Sequence, residues 1–105
     1  MEKEYGDDAE KLANEHEKLI EQILEEEEEI INNHRVHIDK VVDMVKEEMK
    51  ILNEVDKPGS DVDTYVEQLD KMLLDKIHVI VDMRNQLLDF RKHLKTEECM
   101  SKLYQ

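Results

Sequence analysis

His34 and His37 are spaced i, i+3, the minimal spacing for two metal ligands on one helix face. A di-metal site in a helical bundle also needs carboxylates and Glu-x-x-His pairs on several helices, and only Asp75-x-x-His78 approaches that pattern, with Lys76 beside it opposing a cation. These histidines are therefore expected at boundary or surface positions, and no metal or other cofactor is expected. His16 and His93 sit on single apolar edges and add no further signal. Glu25, Glu26, Glu27, Glu28 and Glu29 form an acidic run, but five successive helical residues point all round the axis and cannot focus on one ion. No glycine-turned loop gathers them for calcium. The run reads as a solvated acidic collar or, as its functional alternative, a docking patch for a basic protein surface. Cys99 lies in a charged tail, the paired Glu47 and Glu48 fall on different helix faces, and there is no Gly-rich phosphate loop or G-x-S-x-G. The chain is not expected to be an enzyme by itself.

The elements that must carry these residues are helices. Val66, Leu73, Ile80, Leu87 and Leu94 repeat every seventh position, with Val62, Leu69, Met83 and Phe90 on companion positions. Ile77, the row Tyr65, Met72 and Val79, and the flank Leu74, Val81 and Leu88 widen this stripe to about half the circumference, beyond the roughly 100° that a surface helix needs. Upstream, Ala9 to Asn53 contains no Pro or Gly, and Ile31, Ile38, Val45 and Leu52 form a strict heptad row, flanked by Val42 and Met49 on one side and by Ile30, Met44 and Ile51 on the other. The reading is all-α: residues 1–6 a disordered N-terminus, 7–54 a long acidic helix, or two nearly collinear ones, 55–60 a turn, 61–98 a second helix, and 99–105 a tail that can extend it.

In the break Asp56-Lys57-Pro58-Gly59-Ser60, Pro58 and Gly59 are turn residues and Ser60 is the expected N-cap, accepting from the Asp63 amide. So short a connection forces an antiparallel, coiled-coil-like helical hairpin. Centring the turn near Lys57 pairs Val45 with Leu69 and brings Ile38 toward Lys76 and Ile31 toward Met83. The hairpin is then held by Val66, Leu69, Val45 and Leu52. Lys76, at a core heptad position, packs its stem while its ammonium reaches Asp39, Asp43 or a carboxylate of another chain. One neighbour cannot cover the second helix, so dimerisation into a helical bundle is expected, through Val66, Leu69, Leu73, Leu74, Ile77, Ile80, Val81, Met83, Leu87, Leu88, Phe90 and Leu94.

Bulk properties agree with a binding module. The chain has 105 residues, 41% of them charged, with one Pro, two Gly and no Trp. Its net charge of −13 is uneven: residues 1–53 hold 7 Lys/Arg against 17 Asp/Glu, and residues 61–105 hold 7 against 9. That acidity disfavours nucleic acid and anionic membranes as partners and favours a basic protein surface. A single cysteine fits a reducing, intracellular setting, and no apolar run is long enough for a bilayer.

From about Glu15 to Glu98 the chain resembles the C-terminal, post-motor segment of the internal-motor kinesins, the kinesin-13 family. The resemblance rests on the Glu run before His34-Arg35, on Val45-Lys46-Glu47-Glu48-Met49 with Leu52, on Asp56-Lys57-Pro58-Gly59-Ser60 followed by Asp63, Tyr65, Leu69 and Lys76, and on Leu87, Phe90 and Leu94 before Glu97-Glu98. It implies a fragment of a microtubule-depolymerising ATPase, without nucleotide site or tubulin-binding loop, acting in dimerisation, targeting and motor regulation at the cytoplasmic microtubule cytoskeleton. Expected partners are a second copy, the motor or neck of the parent kinesin, and targeting proteins. The alternative is an adaptor-type helical module that holds an amphipathic helix of another protein in a groove.

Overall fold

The computed structural model describes residues 2–103, with side chains from Asp8 onward. Tyr104 and Gln105, which belong to the expected tail, and the side chains of the expected disordered terminus lie outside the described residues. Two helices account for nearly all the rest: α1, Glu2–Val55, and α2, Val62–Leu103. The first is one unbroken helix, continuous through Asn32 and Asn33. The second runs past residue 98 to Leu103. Together they form the expected antiparallel helical hairpin, with no strand among the described residues.

The connection has its own chemistry. The Ser60 amide donates to the Lys57 carbonyl at 3.2 Å, with Pro58 and Gly59 between them and Gly59 at φ 80°. That is a type II turn, in which proline sets the first central residue and the second must be left-handed. Ser60 does not cap α2. Its hydroxyl donates instead to the Val55 carbonyl at 2.6 Å, closing the end of α1. The cap is Asp61: its carboxylate accepts from the Asp63 amide at 3.0 Å and from the Thr64 hydroxyl at 2.7 Å. Those two hydrogen bonds, the hydroxyl's first, hold the Asp61 carboxyl below the usual aspartate range.

Contacts divide the chain into two compact units, residues 1–31 with 86–105, and residues 32–85. In the second, α1 and α2 meet across the turn, and Asp43, Met44 and Glu47 line a shallow cleft with Gln68, Lys71, Met72 and Asp75. α1 continues to Val55 and α2 begins only at Val62, so the reversal is centred between Pro58 and Gly59, just past the expected centre near Lys57. In the first unit, His16 pairs with Glu97 and Glu26 with His93, the crossed order of antiparallel helices.

Candidate protein-interaction surface

The seam between the helices follows the burial pattern. Along α2 the half-buried residues Tyr65, Leu69, Met72, Lys76, Val79, Met83, Gln86, Phe90, His93, Glu97 and Met100 form an unbroken alternation of four- and three-residue steps, with half-buried Ser101 following the last of them. Along α1 the matching series runs Leu12, His16, Leu19, Ile23, Glu26, Ile30, Asn33 and His37, then Val41, Met44, Glu48, Ile51 and Val55. Two four-residue steps in succession, Asn33 to His37 to Val41, shift the stripe once around α1. Among the described residues, Ile23 and Ile51 are the buried ones.

This seam is mixed in character, and several of its polar members pair with one another. In the first unit Glu26 Oε2 lies 2.6 Å from His93 Nδ1, and Glu97 Oε1 lies 3.2 Å from His16 Nε2. Ser101 Oγ donates to the same Glu97 oxygen and sits 3.2 Å from His16 Nε2. The Ser101 hydroxyl and, after it, the His16 ring hold the Glu97 carboxyl below the usual glutamate range. In the second unit Lys76 Nζ meets Glu48 Oε2 at 2.8 Å, with both side chains mostly covered. The expected partners Asp39 and Asp43 are therefore replaced by Glu48. Among the described residues no buried side-chain polar atom is left without a hydrogen bond.

The aliphatic rows lie outside the seam. Ile31, Ile38, Val45 and Leu52 on α1 are 42–49% exposed, and Val66, Leu73, Ile80, Leu87 and Leu94 on α2 are 43–57% exposed. Leu24 extends the α1 row by one heptad. Hence Val66, Val45 and Leu52 do not hold the hairpin; Leu69 does, with Tyr65, Met72, Met44, Ile51 and Val55. Of the twelve expected association residues, Leu69, Met83 and Phe90 are taken into the seam, and the other nine, including the Leu74, Val81 and Leu88 flank, stay exposed.

In the second unit these rows share one side. Val45 follows Met44 and Leu73 follows Met72, a step of about 100° from a seam residue in the same rotational sense along each helix. Because the helices are antiparallel, both steps lead to the same side of the pair. The opposite side is polar, the cleft lined by Asp43, Glu47, Gln68, Lys71 and Asp75.

The remaining candidates are dispersed. Glu25, Glu27, Glu28 and Glu29 are exposed, whereas Glu26 turns into the seam. His34, Asp75 and His78 are exposed and His37 is half-buried; no group of three His, Cys, Asp or Glu among the described residues could hold a metal. Cys99 is an exposed free thiol. No described helix is long and apolar enough to cross a membrane. His16 and His93 are the site residues that sequence reasoning missed. Their signal was present in the four-three alternation His16, Leu19, Ile23, Glu26 and its counterpart Phe90, His93, Glu97, which place a histidine opposite a glutamate twice.

Comparison with known proteins places the chain. It is 43% identical over 83 residues to the kinesin-like protein KIN-13A of Oryza sativa subsp. japonica, a match covering 79% of this chain and 10% of that protein. The chain is related to kinesin-13. A second relative, the kinesin-like protein KIN-13B of Arabidopsis thaliana, is 38% identical over 73 residues, covering 70% of this chain and 11% of its own length. The kinesin-13-related chain thus spans about a tenth of the length of the curated relatives it matches. No established family profile matches it, and no solved structure does.

Proposed function

We propose that this chain is a non-catalytic self-association and regulatory module of a kinesin-13 motor, acting in the cytoplasm on the microtubule cytoskeleton within a parent protein that depolymerises microtubules with ATP. One observation carries the proposal: the hairpin hides a seam with histidine, lysine and glutamate in it and leaves its uninterrupted aliphatic rows in water. Fully burying such a side chain is worth about 1.5 to 3 kcal/mol, and these are only half-buried, so each leaves roughly 1 kcal/mol for association to recover. The kinesin-13 relatives supply the setting, and the acidic residues exposed around Glu25–Glu29 supply a surface suited to a basic neck or motor.

Multi-angle light scattering of the chain over a concentration series tests the first half. A self-associating species is expected at micromolar concentration, and a monomer at high micromolar concentration removes self-association. The second half is tested by binding to the motor and neck of the parent kinesin at rising salt. Affinity should fall as salt screens the acidic surface, and absent or salt-insensitive binding removes the regulatory contact.

The adaptor reading has its own support in the Leu74, Val81 and Leu88 flank, which lies on the far side of α2 from the seam and suits an amphipathic helix of another protein. A chain that stays monomeric yet captures such a helix would favour it.

A further inference from the structure

Building on the self-association reading, we infer that the surface joining two copies is one side of the unit formed by residues 32–85, built from Ile38, Val45 and Leu52 of α1 and Val66, Leu73 and Ile80 of α2, and that its occupant is the same side of a second copy.

Three observations select this surface. First, the six side chains lie on one side of an antiparallel pair, 42–57% exposed, and every heptad position in the two rows is aliphatic. The seam already covered is interrupted by Lys76 and Glu48, and the opposite side carries Asp43, Glu47, Lys71 and Asp75. Between the two open sides, this one presents the aliphatic rows and the other presents Asp43, Glu47, Lys71 and Asp75, so drying this one strands fewer charges. Val42, Met49 and Ile77, also exposed, broaden its margins.

Second, charge favours this unit over the other as the meeting place of two identical acidic chains. Residues 32–85 hold 8 Lys and Arg against 12 Asp and Glu, a net −4, whereas residues 1–31 with 86–105 hold 7 against 16, a net −9. Copies meeting through the more acidic unit would bring those charges together, while meeting through residues 32–85 appose the weaker ones. The same difference disfavours a basic partner here, since the exposed Glu25, Glu27, Glu28 and Glu29 carboxylates belong to the other unit.

Third, the surface fits itself. Its rows repeat at seven residues, so side chains of one copy meet spaces of matching period on another, and two hairpins facing each other make a four-helix bundle. An isologous contact of this kind closes at two copies.

Sedimentation velocity on the whole chain tests the inference with two double variants, Val45→Glu with Leu73→Glu and Val45→Lys with Leu73→Lys. Each alone should be monomeric at concentrations where the parent sequence is dimeric, with helical circular dichroism retained because both positions lie outside the seam. An equimolar mixture should recover the dimer through opposite charges across the contact, at least tenfold tighter than either variant alone. If both variants stay folded and dimeric, or if the mixture fails to recover, the contact lies elsewhere and this inference is overturned while self-association stands. If the unmodified chain is monomeric throughout, the self-association reading falls as well. A control pair with Leu87→Glu and Leu94→Glu, in the other unit, should remain dimeric; loss of its dimer with retained helicity also places the contact elsewhere.

Discussion

Lys76 and Glu48 show what a charged pair does in an otherwise greasy seam. Each group alone would be costly at a mostly covered position, and the 2.8 Å contact compensates for both. Lys76→Met should therefore destabilise the chain by about 1 kcal/mol, because the Glu48 carboxylate is left without its cation. Adding Glu48→Met should return stability to or above the starting value, by about 1 kcal/mol, as dry side chains replace the pair. Urea unfolding of the two variants checks this, and a double variant no steadier than the single one would mean that the pair is not the source of the cost. Glu97 gives a second, pH-dependent outcome. Its folded-state pKa is depressed, by the Ser101 hydroxyl first and His16 after it, so its contribution is present above the ordinary glutamate range and is lost as pH falls through the lowered folded value. Ser101→Ala should move the Glu97 titration upward toward an ordinary glutamate, and His16→Ala should move it less. Carboxyl-carbon NMR reads both midpoints directly.

At the scale of the elements, the helices and their reversal were legible because their signals are local. A stretch free of breakers, an unbroken apolar periodicity and a single Pro-Gly step leave few alternatives. Two local features were harder to read. Ser60 and Asp61 are both good capping residues, and the choice was made by geometry: the hydroxyl of Ser60 reaches back to α1, leaving Asp61 to meet the Asp63 amide. Which apolar row would face inward was not a local matter at all. Tyr65, Met72 and Val79 lie one residue before Val66, Leu73 and Ile80, and both rows are apolar, so hydrophobicity does not separate them. The separation comes from matching two helices at once, since the inward choice is the one that sets Lys76 against Glu48, His93 against Glu26 and Glu97 against His16. The reversal itself depends on Gly59 at φ 80°, a left-handed conformation that costs an L side chain about 1 kcal/mol, although the space around it is open. Gly59→Ala should lower stability by about that amount with little change in helicity. Thermal unfolding checks it, and an unchanged midpoint would mean that the turn relaxes to another type at no cost.

Considered whole, the molecule carries its charge and its polar seam together. The unit of residues 1–31 and 86–105 has a net −9, and its seam includes His16, Glu26, Gln86, His93, Glu97 and Ser101. The unit of residues 32–85, at net −4, has fewer polar seam members, Asn33, His37, Glu48 and Lys76, beside Val41, Met44, Ile51, Val55, Tyr65, Leu69, Met72, Val79 and Met83. Like charges repel within a compact unit, and polar seam positions contribute less burial energy than aliphatic ones. The more acidic unit should therefore open more readily, as a local event that leaves the other paired. Amide hydrogen exchange at neutral pH is expected to show faster exchange in α1 before Ile31 and in α2 after Gln86 than around Met44 and Met72. Raising salt from about 0.05 M to about 0.5 M shortens the screening length severalfold. It should slow exchange in the acidic unit more than in the other, because more of its instability is electrostatic. Equal exchange in the two units, or a salt effect shared evenly between them, would show that seam composition and charge do not set local stability here. The expected pattern would leave the unit with the aliphatic side as the steadier platform for a second copy, and the acidic unit as the one that yields to a basic partner.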